Sequence, residues 1–179
     1  MQSLDFKQNY FELFGLDLDF NLDREHLHAR QQRLLASCHP DRYVNASERE
    51  KRLSVQMSSW INQANETLQN PVKRAAYLLQ ISGVEPGDES ETTTDTAFLM
   101  EQIELREEME ACGSDDDALA CCNQIEAKLD RRASQLAQEF VSNFVAKDLQ
   151  AARLSGRKMQ FIQRLQQQLS DLQFELEDA

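Results

Sequence analysis

A chain of 179 residues can form one large domain or two small ones, and its 41% hydrophobic content supplies a core, which excludes wholesale disorder. Only 5 Gly and 3 Pro interrupt a composition rich in Glu, Gln, Ala, Leu and Arg, which favours helices. The net charge of −12 is concentrated: residues 86–117 hold 12 acids against one base, Arg106, whereas 1–85 (10 bases, 11 acids) and 118–179 (8 of each) are nearly neutral, a balance that argues against general nucleic-acid binding.

The first predicted element is NYFELFGL (9–16), a short helix ending at Gly15. Asp23 is placed to cap the next helix, which runs to about Cys38 with Leu27, Leu34, Leu35 and Cys38 on one side. His26, Arg30 and Arg33, spaced i, i+4, i+7, form a separate basic stripe. Pro40 stops that helix, because it disfavours helical geometry in the residue before it. Ser47 or Asn45 starts a third helix to about Gln69, with Leu53, Met57, Trp60, Ile61, Ala64 and Leu68 facing its predecessor. Asn70-Pro71 breaks it, and VKRAAYLLQIS is a final short helix. The two long helices should form an antiparallel hairpin whose loop carries His39-Pro40-Asp41.

The stretch GVEPGDESETTTDT (83–96) has turn formers and almost nothing to bury, and reads as a linker or long turn. The predicted domains are 1–84, then 85–95 as linker, then 96–179. The second domain reads as helices near 95–112, 115–141 and 144–177, most simply a three-helix bundle. Its buried stripes are Phe98, Gln102, Leu105, Met109 and Cys112 on the first helix. On the second they are Cys122, Ile125, Leu129, Ala133, Leu136 and Phe140, and on the last Leu154, Phe161, Leu165, Leu169, Leu172 and Leu176. Gly156 inside the last helix costs about 1 kcal/mol relative to Ala. No strand pattern is found, so the fold class is all-α.

No apolar run approaches a membrane span, and the start MQSLDFKQNYF lacks the features of a secretion or transit signal, so the expected location is the cytoplasm, with no membrane partner. Cys38, Cys112, Cys121 and Cys122 form no CxxC pair, and free thiols are expected in a reducing compartment. Cys112 and Cys122 fall on core stripes and read as small buried hydrophobes. Asp115 to Asp117 resemble a cation site only superficially, since acids are expected in the first turn of a helix.

The CHPDRY stretch (38–43) is a poor metal site, with one His and one Asp flanking a proline and no cysteine at zinc-like spacing. It also lacks a nucleophile for acid–base catalysis. As a helix stop it is over-furnished, because Pro40 alone would suffice. The remaining reading is a recognition loop beside Arg42 and the basic stripe, suited to an acidic partner, although such a stripe is equally well a solvated helix face. In TAFLMEQIELREEMEAC (96–112), Leu99, Met100 and Ile103 form a second apolar patch ringed by acids. Leaving each exposed forgoes roughly 1.5–3 kcal/mol of burial, so either a partner covers them or they are buried between neighbouring helices or against the N-terminal domain.

NYFELFGL, a basic helix, HPD, and INQANETLQNPVKRAAYLL together resemble a J-domain, which implies binding to a DnaK-type chaperone and stimulation of its ATP hydrolysis. His39, Pro40 and Asp41 would then be the trigger, with Arg30, Arg33 and Arg42 as electrostatic contacts. The further stretch AFLMEQIELREE resembles the HscB family of co-chaperones of iron–sulfur cluster assembly, over essentially the whole chain. That resemblance implies binding of an IscU-type scaffold through Leu99, Met100, Ile103, Glu104, Glu107 and Phe161, and recruitment of an HscA-type chaperone. Ala111 stands where members often carry another acid, and Arg42 stands where a lysine is commoner. The expectation is an adaptor that is not an enzyme and uses no cofactor or metal, with the two domains held in a fixed geometry. A general J-protein presenting unfolded clients is the alternative; it would be expected to carry a Gly/Phe-rich segment or zinc-type cysteine repeats, which are missing. An enzyme using HPD or the cysteines is the remaining option.

Overall fold

The computed structural model describes residues 6–44, 46–87, 95–112 and 117–177, and among these the chain is all-helical. It divides into two compact units, Met1–Ser82 and Gly83–Ala179. Asn45, most of the expected linker (88–94), Asp115 and Asp116 lie outside the described residues, as does the side chain of Pro40.

In the first unit, α1 (Tyr10–Phe14) is closed at both ends by its own sequence. Asn9 and Glu12 form a reciprocal capping box, Glu12 N–H to Asn9 Oδ1 at 3.0 Å and Asn9 N–H to Glu12 Oε2 at 2.9 Å. Gly15 ends the helix at φ 64°, a left-handed conformation that strains any residue with a Cβ. Helix α2 (Arg24–Cys38) begins where Asp23 accepts the Glu25 and His26 N–H groups at 2.9 and 3.0 Å. Helix α3 (Glu48–Gln69) starts at a Ser47–Glu50 capping box. Helix α4 (Pro71–Ile81) has Asn70 as its cap, bonded to the Val72 and Lys73 N–H groups, and Pro71 at its first position, where the missing donor is not needed. Contacts from Cys38 to Ser58 and from Gln31 to Asn62 run in opposite directions along α2 and α3, so the pair is the expected antiparallel hairpin. Its core includes Phe11, Phe14, Leu27, Ile61, Leu68 and Leu78. Leu34 and Leu35 of the expected α2 stripe are only partly buried.

The NPVKRAAYLL stretch explains itself structurally. Arg74 is buried, donating from Nη1 to Leu68 O at 2.6 Å with its guanidinium 4.6 Å from the Phe20 ring centre, and burial lowers its pKa to about 10. Tyr77 accepts the Tyr10 N–H at 2.9 Å and stacks on the Tyr10 ring at 4.4 Å, fixing α1 against α4; burial pushes its phenol pKa up.

The second unit contains α5 (Thr96–Cys112), α6 (Ala118–Val145) and α7 (Leu149–Glu177). The long α6 and α7 pack antiparallel, linked by Gln166 to Asp130 (2.7 Å), Gln173 to Asn123 (3.3 Å) and Asn143 to Ser155 (3.4 Å). The turn between them falls four to five residues later than the expected ends at 141 and 144. Phe140 and Phe144 stack at 5.6 Å and carry α6 onward, and the chain reverses at Lys147, at φ 61°. Asp148 then caps α7 through the Ala151 N–H at 3.0 Å.

The α6 stripe is buried as expected apart from Ala133, which is partly exposed. On α7 the expectation for Leu154 is corrected: it is exposed, because the inward line there runs through the smaller Ala152, Ser155 and Gly156. Gly156 therefore sits in a buried run of small residues. The cysteine expectation is also corrected, for Cys112 and Cys121 are joined by a disulfide with Cα atoms 5.5 Å apart, while Cys38 and Cys122 are buried free thiols.

Candidate functional site

Each unit presents one candidate surface. In the first, the end of α2 is tied off carbonyl by carbonyl before the chain turns through one 3-10 turn, Pro40–Tyr43. Arg42 Nη1 donates to Ala36 O at 3.0 Å, Tyr43 Oη to Ser37 O at 3.4 Å, Ser54 Oγ to Cys38 O at 2.9 Å, and the Arg42 N–H to His39 O at 3.0 Å. A cation is favourable there because the helix dipole places partial negative charge on those carbonyls. What projects outward is His39 and Asp41, whose side chains are 58% and 86% exposed. Asp41 N–H donates to His39 Nδ1 at 3.3 Å, and the same ring nitrogen lies 3.6 Å from Asp41 Oδ2, so the two side chains are held together at the loop tip.

The expected basic patch is not uniform. His26 and Arg33 are exposed on α2, but Arg30 is partly buried and donates from Nε to Phe14 O at 3.3 Å, with its guanidinium beside Gly15. Arg30 therefore stabilises the end of α1, and Arg42 stabilises the end of α2, in addition to any charge they show a partner. The pattern of basic residues could not separate these two jobs. Ser54 was not singled out by sequence, although a trace existed: it lies on the buried α3 line through Met57, Ile61, Ala64 and Leu68, where a lone serine needs an acceptor.

In the second unit, α5 buries one narrow line, Phe98, Leu105, Met109 and Cys112. Charge pairs pin its flanks: Arg132 grips both Glu101 oxygens at 2.5 and 3.0 Å, Lys128 bonds Glu108 at 2.6 Å, and Lys158 bonds Asp95 at 2.7 Å. With α5 oriented in this way, its second apolar line stays in solvent: Leu99 is 41%, Met100 54% and Ile103 50% exposed. Glu104, Glu107 and Glu110 are exposed around them. Of the two options for this patch, neighbouring helices in the described structure do not take it up.

Phe161 is the correction in this set. It is only 4% exposed, meets Phe98 edge-on at 5.6 Å and lies beneath the Arg106 guanidinium at 5.4 Å. As a bulky aromatic on the inward face of α7 it belongs to the core behind α5 rather than to a contact surface. Among the described residues, no group of three or more His, Cys, Asp or Glu is placed to hold a metal ion, and no helix is long and apolar enough to cross a membrane.

Residues 94–170 match the family model described as the HSCB C-terminal oligomerisation domain. The chain is 40% identical over 174 residues to a co-chaperone protein HscB homolog from Shewanella halifaxensis, covering 95% of this chain and 99% of the relative. Among solved structures, the chaperone HscB from Vibrio cholerae superposes with a TM-score of 0.84 at 34% identity, covering 94% of this chain and 99% of that one. The human co-chaperone protein HscB gives 0.87 at 26% identity, covering 95% and 84%.

Proposed function

Because the chain belongs to the HscB family of co-chaperones, acting in iron–sulfur cluster assembly, we propose that it is an adaptor between two proteins. In this reading the second unit binds an IscU-type scaffold, and the HPD loop of the first engages an HscA-type ATPase and promotes its ATP hydrolysis. The cytoplasm is the proposed location.

The observation that carries the reading is the exposed Leu99, Met100 and Ile103 line on α5, rimmed by Glu104 and Glu107. An apolar strip inside an acidic ring suits a partner with an apolar spot and basic surroundings: the apolar contact gives affinity, the charges give orientation. Phe161 acts from behind, bracing Phe98 and so the helix that carries the strip. At the other surface, a polar loop with outward His39 and Asp41 matches a partner recognised through hydrogen bonds and charge.

Chemically the adaptor works by effective concentration. Holding both partners converts their second encounter into a nearly intramolecular one, which raises apparent affinity without any new contact. This chain forms and breaks no bond in that scheme. The decisive experiment is steady-state ATP hydrolysis by an HscA-type chaperone with this protein alone, with an IscU-type scaffold alone, and with both. The expected outcome is stimulation by both together that exceeds the sum of the separate effects. Purely additive rates would leave a J-protein without scaffold coupling, the general-client alternative.

A further inference from the structure

The least embedded helix of the second unit is closed by a bond that chemistry can open. Cys112 ends α5 and Cys121 lies in the first turns of α6, with Cα atoms 5.5 Å apart, within the range disulfides require. Apart from that bond, α5 holds on through a single buried line and its charge pairs, whereas α6 and α7 pack along their lengths. Cys112 is fully buried, while Cys121 is partly exposed. Both border an open groove of about 600 Å³ also lined by the Lys128–Glu108 pair and by Arg131, whose guanidinium favours an approaching thiolate. The neighbouring Cys122 is buried in the core, where burial raises its thiol pKa and makes it a poor competitor for exchange.

We infer that Cys112–Cys121 is a reversible dithiol–disulfide site that sets how firmly α5 presents its apolar face. The oxidised form locks the C-terminal end of α5 to α6; the reduced form loosens it and weakens docking. Disulfides that do form in reducing compartments are typically of this responsive kind. The reaction partner is a dithiol. One of its thiolates attacks Cys121 Sγ, the S–S bond breaks, and Cys112 leaves as a thiolate that takes up a proton. The second thiol of the reagent, as its thiolate, then attacks its own sulfur in the mixed disulfide and releases Cys121, so that the protein gains two electrons and two protons while the reagent becomes a cyclic disulfide.

Only the docking consequence rests on the scaffold reading; the loosening of α5 does not. The test uses the full chain equilibrated with reduced or oxidised dithiothreitol, alkylated and mapped by mass spectrometry. A linked Cys112–Cys121 peptide is expected in the oxidised sample alone, with Cys38 and Cys122 as thiols in both. On reduction, amide exchange should rise in the last turns of α5 and the melting temperature should fall by about 5 °C. Cys121→Ser should mimic the reduced state and ignore dithiothreitol, and Cys122→Ala should respond as the parent does. IscU-type scaffold affinity is expected to drop about fivefold on reduction. Absence of the linked peptide, unchanged α5 exchange, or equal affinity of the two forms overturns the proposal. A scaffold that binds neither form counts against the scaffold reading, and the exchange data then decide this one.

Discussion

The HPD loop and the α5 face solve opposite problems. The loop turns two polar side chains, His39 and Asp41, to solvent, so its worth lies in geometry, and four hydrogen bonds to the Ala36, Ser37, Cys38 and His39 carbonyls, one of them from Ser54 of α3, fix that geometry. The α5 face offers apolar area and little geometry of its own, and it is held from behind by Phe98, Phe161 and the Glu101–Arg132 pair. The polar candidate surface is thus built on backbone carbonyls that are tied off, whereas the apolar one is built on the packing beneath it. Substitutions should separate recognition from stability differently in the two places.

The largest expected effect is at the loop. His39→Gln should abolish ATPase stimulation while leaving scaffold affinity unchanged, because the residue is exposed and lies in the first unit; normal stimulation by this variant would refute the trigger assignment. Next comes Leu99→Ala combined with Met100→Ala. About half of each side chain remains to be buried on docking, so the pair should contribute about 2–3 kcal/mol, roughly fifty-fold in scaffold affinity by titration calorimetry. Melting should shift little; a collapse in melting temperature would move these residues into the core and erase the contrast.

Ser54→Ala sharpens the comparison from the other side. It removes the buried donor to Cys38 O and should lower unfolding free energy by about 1–2 kcal/mol in urea titrations, with a partial loss of stimulation as the loop relaxes. Ser58 Oγ, 3.5 Å from the same carbonyl, limits the damage. The smallest effect is at Asp95, whose carboxyl is held below the usual range by its bond to Lys158 and by the Phe98 N–H. A lowered folded pKa contributes stability that is present above the ordinary carboxylate pKa and lost as pH falls through the folded value. Asp95→Asn should therefore trim stability near neutrality and flatten the acid side of the melting-temperature profile.

Local signals were read well from sequence because they act locally. Asp23 and Ser47 each cap the helix they were expected to start, Gly15 and Pro40 each stop one, and Asn70-Pro71, expected only as a break, both ends one helix and caps the next. The exposed Leu99, Met100 and Ile103 line was legible as a second stripe on one helix, though only packing could decide that it stays outside. Features that depend on a distant partner were not legible. Lys147 carries a left-handed turn without the glycine or asparagine that would have announced it. Phe161 has the spacing of a core residue, and only its place behind Phe98 separates support from contact. The Cys112–Cys121 bond requires two helix ends to meet, which no spacing rule encodes. Arg30 and Arg42 look like plain surface charge until the carbonyls they reach are known.

The carbonyls closed off around CHPDRY also bear on how fast a partner is found. A loop that must fold during docking pauses at each collision while its backbone searches, and most encounters dissociate first. Here the ordering entropy has been met during folding of the first unit, with Ser54 of α3 supplying the inner anchor. If the loop acts as proposed, encounters with an ATPase partner should then be limited by diffusion and charge steering, so that the association rate falls with added salt while its temperature dependence stays shallow.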